Sequence, residues 1–270
     1  MDLTPEEAGK RAWLLVQQHY SPLRERYLSE NETILDSDRA KELFPEYAAD
    51  LVSRRRYASA VYPPAAAFID RLYGELLREP VSPSRHKLVV FMAGGPGSGK
   101  SALVTTPATG DVLQTAALVL DGTFSDAVRA RRQIKSALSA EFRVQVLLIF
   151  RPLRDCLRGV WERALSPEGG RATPFRIVVD KHRGALATVR ELRKEFENHP
   201  GVNFHLYRFA KLGQPALPMT WAELDGIPIS DLAMDRSLAY QILDECEQSS
   251  APGLRLEAQS LRSILAEGMG

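Results

Sequence analysis

The stretch LVVFMAGGPGSGKS, residues 88–101, joins an uninterrupted apolar run to a glycine-rich segment. The apolar run, 88–93, carries no polar residue, which is typical of a strand buried on both faces of a parallel sheet. The segment after it, 94–101, matches the pattern G-x-x-x-x-G-K-[ST], and the residues that follow are compatible with a helix. This order of strand, glycine-rich turn and helix predicts a loop that binds the phosphates of a nucleotide.

Each part of residues 94–101, here called the phosphate loop, has a physical role in that prediction. Glycines allow successive backbone N–H groups to turn toward phosphate oxygens. The ammonium group of Lys100 would contact the outer phosphates, and the hydroxyl of Ser101 would bind Mg²⁺. The residues predicted to bind ATP are Gly94, Gly95, Pro96, Gly97, Ser98, Gly99, Lys100 and Ser101.

The residues on the carboxyl side of the phosphate loop alternate between strand and helix patterns. Apolar runs recur at 117–120, 144–150 and 202–206. Helical patterns separate or follow them at 124–140, 152–165 and 174–198. Strands that alternate with helices predict an α/β fold, namely a parallel sheet of the P-loop NTPase type flanked by helices.

The two ends of the chain are predicted to be helical. Residues 4–28 have a helical pattern that Pro22 should break or kink. A short strand at 33–35 follows and ends at Asp36 and Asp38. Helices are predicted at 39–50, interrupted by Pro45; at 64–78, with Pro63 and Pro64 at its start; and at 231–247 and 254–267. We therefore predict a helical N-terminal arm at 1–30, a P-loop domain at 31–209, which the features below indicate to be a kinase domain, and a helical C-terminal appendage at 210–270.

Composition excludes several classes of protein. The 270 residues are 44% hydrophobic, which is enough for a full core, and 35 basic against 34 acidic residues give a net charge of +1. That balance argues against a protein that coats nucleic acid or an anionic membrane. Cys156 and Cys246 are too few for a disulfide framework, and both are expected to be buried or half-buried. The five histidines show no zinc-binding spacing and are expected to be structural or exposed.

The expected localisation depends on two sequence features, membrane helices and signal peptides. No segment approaches the roughly 20 consecutive apolar residues of a membrane helix. Residues 1–10 include three acidic residues and no apolar core, which does not fit a signal peptide. We expect a cytoplasmic protein, with export as an effector left open.

The phosphate loop alone does not distinguish a kinase from a GTPase or a mechanical ATPase. The sequence has no N-K-x-D or T-K-x-D motif, which argues against a guanine-specific GTPase. The run ending at Asp121 lacks the Asp-Glu pair that motor ATPases use to activate water. A small-molecule kinase also needs a carboxylate base and arginines that stabilise the transferred phosphoryl group. The candidates are Asp36 and Asp38 for the base, and Arg154, Arg158, Arg163 and Arg171 for the cations.

Four features of the sequence resemble the zeta-toxin family of P-loop kinases. The first is the phosphate loop, GGPGSGKS, and the second is LVLDGT at 118–123, which resembles a strand that ends in Glu-Gly-Thr in the family. The third is the spacing of Arg158 from the string RATP at 171–174, and the fourth is ILDSDRAKELFPEY at 34–47. The resemblance covers about residues 30–208. In the familiar members the Asp-x-Asp segment follows the phosphate loop, whereas here it precedes the loop, so the chain resembles a permuted family member.

The resemblance implies a role for each matched residue. Asp38 would be the general base, with Asp36 in support, and Arg158 and Arg171 would clamp the transferring phosphoryl group beside Lys100. Asp121, which replaces the glutamate of the family, and Thr123 would bind the acceptor. The implied cofactors are ATP and Mg²⁺.

The implied reaction is phosphorylation of a sugar hydroxyl, as in the family's UDP-N-acetylglucosamine kinases. Such a kinase would be a toxin or effector, and an antitoxin or immunity-type protein would be its partner, with no role for nucleic acid or membrane. Asp121 has one methylene fewer than glutamate, so NAD or another nucleotide remains an alternative acceptor. A P-loop NTPase switch and a non-enzymatic interaction module are the further alternatives.

Overall fold

The computed structural model describes residues 3–104, 107–166, 173–209, 214–228, 236–249, 258 and 262–267. The helices are α1 (Pro5–Gln18), α2 (Tyr20–Asn31), α3 (Ser37–Ala40), α4 (Pro45–Ala48), α5 (Leu51–Leu76), α6 (Lys100–Val104), α7 (Pro107–Thr115), α8 (Ala127–Ser139), α9 (Leu153–Leu165), α10 (Phe175–Phe196), α11 (Trp221–Asp225) and α12 (Arg236–Ser249), with a 3₁₀ turn at Lys41–Leu43. The strands are β1 (Ile34–Leu35), β2 (His86–Ala93), β3 (Ala116–Asp121), β4 (Arg143–Phe150), β5 (Val202–Arg208) and β6 (Leu217–Pro218).

Within the described residues the strands form one sheet in the order β1-β3-β2-β4-β5-β6. Every neighbouring pair is parallel except β5 and β6, which are antiparallel. The strand before the phosphate loop, β2, lies in the interior of the sheet between β3 and β4. The α/β class and the mainly parallel sheet flanked by helices confirm the prediction.

The apolar run of β2 is explained by helices on both of its faces. Val89 and Phe91 belong to the large core cluster shared with α1, α2, α5, α8 and α10. Val90 and Met92 point to the opposite face and pack with Leu103 of α6. Since successive strand residues alternate between faces, both sets must be apolar.

The first strand in the sequence lies at one edge of the sheet. Ile34 pairs with Val119 and Leu35 with Leu120, so β1 runs parallel to β3 although β2 separates the two in sequence. Parallel strands need not be adjacent in sequence to be neighbours in a sheet. The segment that follows β1 therefore lies at the carboxyl ends of the parallel strands, as the phosphate loop does.

Helix α5 differs from the prediction of a helix at 64–78 that begins at its prolines. It begins at Leu51, where the side chain of Asp50 accepts a hydrogen bond from the N–H of Ser53 at 2.7 Å, and Pro63 and Pro64 lie in its interior. Proline in a helix normally disrupts one backbone hydrogen bond. Here the carbonyl four residues before Pro64 faces Gly9 of α1, where an added Cβ would lie only 2.9 Å from that oxygen. Close packing of α1 on α5 outweighs the local rule for proline.

The N-terminal helices also divide at different points from those predicted. The break falls at His19 rather than at Pro22, which lies in the first turn of α2, where a missing N–H costs little. Helix α1 begins with a capping box between Thr4 and Glu7. The predicted helix at 39–50 is divided into α3, the 3₁₀ turn and α4, and Pro45 begins α4.

At the other end of the chain, α12 packs against α9. Ile242, Leu243 and Cys246 form a second core cluster with residues of α9 that include Leu157 and Trp161. Residues 262–265 are helical, within the range predicted at 254–267. The division into arm, kinase domain and appendage remains a prediction.

The helices in the described ranges offer no membrane-spanning candidate, because none of them is sufficiently long and apolar.

Candidate functional site

The phosphate loop has the backbone geometry that its glycines predict. Gly94, Gly97 and Gly99 have φ angles of +139°, +77° and +96°, a region that residues with a Cβ rarely adopt. At Gly97 space is also limiting, since an added Cβ would lie 2.2 Å from the carbonyl oxygen of Cys156 in α9. The loop is therefore held tightly against α9.

Buried polar side chains surround this loop. Arg151, which is 6% exposed and directly follows β4, donates a hydrogen bond from Nη1 to the carbonyl of Gly97 at 3.2 Å. His182 of α10 packs on Gly95, where an added Cβ would lie 2.9 Å from its Cα. Burial lowers the pKa of His182 to about 4, so its ring is neutral at physiological pH. The hydroxyl of Ser98 is buried and makes no hydrogen bond within the described residues.

Lys100 lies at the start of α6 with its side chain folded along the loop. Its Nζ donates hydrogen bonds to the carbonyls of Gly94 at 2.9 Å and Gly95 at 3.3 Å. Both partners are backbone oxygens of the phosphate loop, and no carboxylate ion pair of Lys100 occurs among the described residues. The ammonium group thus lies beside the loop, and the partners it has among the described residues are neutral backbone carbonyls.

Asp121 and Thr123 lie next to the phosphate loop. Asp121, the last residue of β3, pairs with Met92 of β2, and the N–H of Gly94 donates to the carbonyl of Thr123 at 3.2 Å. Ser101 and Asp121 line one cavity of about 460 Å³, and its other lining residues include the charged side chains of Glu32, Arg39 and Arg85 as well as apolar residues of β1 and β3. A hydroxyl and a carboxylate on one cavity are oxygen ligands of the type that Mg²⁺ prefers, so these two residues fit that ion.

Asp36 and Asp38 follow β1, at the same carboxyl ends of the strands as the phosphate loop. Leu35 pairs with Leu120, so Asp36, which directly follows β1, and Asp121, the last residue of β3, lie at the same level. Asp36 caps α3, because its Oδ1 accepts a hydrogen bond from the N–H of Asp38 at 2.7 Å. Asp38 is 43% exposed and forms an ion pair with Lys41 at 2.8 Å.

Lys41 is a buried cation that sequence reasoning missed. Its side chain is 9% exposed, and its Nζ lies 5.9 Å and 5.4 Å from the ring centres of Tyr47 and Tyr62. Both distances are within the range of a cation–π interaction. The only sequence signal was its i,i+3 spacing from Asp38, which is common on helices of any function.

Of the two arginines predicted to clamp the phosphoryl group, Arg158 and Arg171, the structure describes only Arg158. Arg158 donates a hydrogen bond from Nη2 to Glu245 of α12 at 2.6 Å, and Arg154 contacts the other oxygen of the same carboxylate. These two arginines lower the pKa of Glu245 to about 2. Arg171 lies outside the described residues.

Arg151 is the second residue that sequence reasoning missed. Its signal was positional, since it directly follows the apolar run 144–150, and residues at the carboxyl ends of parallel strands meet at one edge of the sheet. The partner of Arg158, Glu245, had no signal at all, because it comes from a helix 87 residues further along the chain.

Comparison with known proteins identifies the fold. No family model matches the sequence, and no curated protein matches it either. Among solved structures, the crystal structure of AvrRxo1-ORF1:AvrRxo1-ORF2 with sulphate ions aligns at a TM-score of 0.50 and 16% identity, over 72% of this chain and 80% of that chain. At that identity the likeness shows the fold alone.

Two further structures align at lower TM-scores. The AvrRxo1-ORF1:-ORF2 complex with ATP aligns at 0.48 and 14% identity, over 72% of this chain and 80% of that chain. A structure of the PezAT chromosomal toxin–antitoxin system of Streptococcus pneumoniae aligns at 0.41 and 12% identity, over 87% of this chain and 74% of that chain.

Proposed function

We propose that the protein is an ATP-dependent small-molecule kinase that transfers the γ-phosphoryl group of ATP to a sugar hydroxyl of a nucleotide or nucleotide-sugar. The observation that carries the proposal is the phosphate loop. Three glycines in conformations reserved for glycine are combined with a lysine that has only backbone partners among the described residues. This is the arrangement that binds the phosphates of a nucleoside triphosphate.

Transfer to an acceptor, rather than simple ATP hydrolysis, is favoured by the carboxylates at the same edge of the sheet. The proposed base is Asp38, whose side chain is 43% exposed and carries the ion pair with Lys41. Asp38 would accept the proton of the acceptor hydroxyl while the oxygen of that hydroxyl bonds to the γ-phosphorus. The bond from the γ-phosphorus to the β–γ bridging oxygen breaks, and ADP leaves.

Supporting roles are assigned to Asp36 and Thr123, and to Ser101 and Asp121, which line the cavity of about 460 Å³. Ser101 and Asp121 would hold Mg²⁺, and that ion, when bound, neutralises charge on the phosphate oxygens. The cavity volume is within the range of small-molecule sites. Asp36, Asp121 and Thr123 would lie beside the acceptor.

The resemblance assigns two arginines, Arg158 and Arg171, to the transferring phosphoryl group. Arg158 would have to exchange the carboxylate of Glu245 for the phosphoryl group, or bind both at once. Guanidinium groups stabilise charge that develops in the transition state, and one such group often contributes a factor of 10³ or more.

The acceptor and the partner form the finer part of the proposal. We propose UDP-N-acetylglucosamine as the first acceptor to test and NAD as the second, with toxicity arising from loss of the acceptor. A neutralising antitoxin or immunity-type protein would be the partner. The solved structure of like fold is a complex of two proteins, ORF1 and ORF2, which is compatible with such a partner.

The proposal is tested by mass spectrometry of a pooled panel of UDP-sugars, nucleotides and NAD after incubation with ATP and Mg²⁺. We expect one acceptor to gain the mass of a phosphoryl group with the wild-type protein and none with Lys100→Ala. Lys87→Ala, at an exposed lysine paired with Glu141, is the matched control and should behave as wild type. ATP consumption with no change in any acceptor would favour an NTPase instead.

A further inference from the structure

Arg158 and Arg154 lie on the side of α9 that faces α12. They are four residues apart, so they share one face of the helix, and the carboxylate of Glu245 contacts both. Helix α12 is fixed in this position by the apolar cluster that contains Leu243 and Trp161. The guanidinium of Arg158 is therefore engaged on the side of α9 that packs against the C-terminal appendage.

The opposite side of α9 contacts the phosphate loop. An added Cβ on Gly97 would lie 2.2 Å from the carbonyl oxygen of Cys156. An added Cβ on Gly159 would lie 3.1 Å from Nη1 of Arg151, which donates to the carbonyl of Gly97, and 3.7 Å from that carbonyl oxygen. Cys156 and Gly159 thus mark the helix face that the loop touches. Gly159 and Arg163 follow Cys156 by three and seven residues, so Arg163 is the next residue on that face.

The helix geometry separates the two arginines. At about 100° per residue, Arg163 lies roughly 40° around the helix from Gly159, whereas Arg158 lies about 100° away on the other side. Side chains on a helix lean toward its N-terminus, and for Arg163 that direction leads back to Gly159 and the phosphate loop. The Nε atom of Arg163 is buried, as expected for a side chain directed inward.

A second guanidinium approaches the same end of α9. Arg55 of α5 donates a hydrogen bond from Nη2 to the carbonyl of Ala164, the residue after Arg163, at 3.0 Å. Lys41, the partner of Asp38, lies against Tyr62, which is two helical turns from Arg55 along α5. Arg55 and Tyr62 share one face of α5, so Arg55 and Lys41 place two positive charges along that face.

From this placement we infer that Arg163, rather than Arg158, is the arginine of α9 that contacts the transferring phosphoryl group. Arg158 serves instead to attach α9 to the appendage through Glu245. The inference rests on the proposed kinase function, because a phosphoryl clamp has a role only if the loop binds a phosphoryl donor.

The experiment measures binding of ADP with aluminium fluoride and Mg²⁺, which together mimic the transferring phosphoryl group, against binding of ADP alone. The variants are Arg163→Met, which keeps most of the apolar stem, Arg163→Lys, Arg158→Met, and the matched control Arg154→Met. Each variant is first checked by thermal unfolding. If Arg163→Met does not fold, Arg163→Lys gives the comparison, since it keeps the charge but not the forked geometry.

We expect Arg163→Met to reduce the affinity for ADP with aluminium fluoride by about 100-fold, with affinity for ADP changed by less than about threefold. Arg158→Met should lose at least tenfold less, and Arg154→Met should match wild type. A loss confined to Arg158→Met, an equal loss in both, or a loss in neither would overturn the inference. Failure of the proposed function is a separate result, in which wild type binds neither ligand or Lys100→Ala binds both as well as wild type.

Discussion

The phosphate loop and the segment after β1 both lie at the carboxyl ends of parallel strands, but they are stabilised differently. The loop is enclosed by groups from α9, by the buried His182 of α10 and by the buried Arg151 that follows β4. The segment after β1 follows a strand of two residues, and Asp38 is 43% exposed. In the proposed kinase, the enclosed loop, here called the rigid side, would hold the donor, and the more exposed segment after β1, here called the open side, would hold the acceptor.

The largest expected effect is at the rigid side. Lys100→Ala should reduce phosphoryl transfer by about a thousandfold or more, because it removes the cation beside the phosphates of the donor. Transfer is measured under single-turnover conditions, with the surface variant Lys87→Ala as the control. If Lys100→Ala keeps its rate, the loop is not the donor site and the comparison fails.

Burial behind the loop predicts a dependence of stability on pH. Burial lowers the pKa of His182 to about 4, below its usual value near 6.5. Above pH 6.5 the ring is neutral in both the folded and the unfolded chain. As pH falls from 6.5 toward 4, only the unfolded chain takes up the proton, so the free energy of unfolding decreases by about 3 kcal/mol.

Urea unfolding at several pH values checks this prediction. His182→Gln should remove most of the decrease between pH 6.5 and 4, whereas His86→Gln, at an exposed position, should not. An unchanged pH profile in His182→Gln would place the titrating group elsewhere in the protein.

At the open side, we predict a substitution that lowers the rate of phosphoryl transfer without changing the affinity for the donor. Asp38→Asn should reduce transfer by about 100-fold, since the amide does not accept the proton, while ATP affinity stays within about threefold. Asp50→Asn is the matched control, because Asp50 caps α5, has no role in the proposed site, and asparagine also caps helices well. An equal loss in both variants would contradict the role of Asp38 as the base.

The smallest expected effect concerns how the loop is held. Arg151→Met removes the hydrogen bond from Nη1 to the carbonyl of Gly97, so the KM for ATP should rise about tenfold with kcat nearly unchanged. Arg151→Lys should recover part of that loss. A fall in kcat at constant KM would mean that Arg151 contacts the reacting atoms themselves.

The strand, turn and helix of the rigid side could be predicted from the sequence, because their signals are local, whereas the buried Arg151 beside the loop was missed. The apolar run 88–93 and the glycines that follow it define strand, turn and helix within 14 residues. The paired positions of β1 and β3 depend on contacts distant in sequence, so sequence alone placed Asp36 and Asp38 at a strand end without showing which strand they join.

What could not be predicted depended on packing between distant elements. Pro63 and Pro64 indicated the start of a helix, yet α5 continues through them because α1 packs closely there through Gly9. The local spacing of Arg158 matched a family pattern, whereas its contact with Glu245 requires α12 to fold back on α9. No short-range pattern carries that information.

The central claim, that the two sides form one phosphoryl-transfer site, is tested most directly with ATP labelled with heavy oxygen in its γ-phosphoryl group. The labelled ATP is incubated with the protein and the acceptor panel, and mass spectrometry follows the label. Our account predicts that the label appears in a phosphorylated acceptor, and that Lys100→Ala and Asp38→Asn both suppress it. Label that appears only in inorganic phosphate, with Asp38→Asn as active as wild type, would contradict the account.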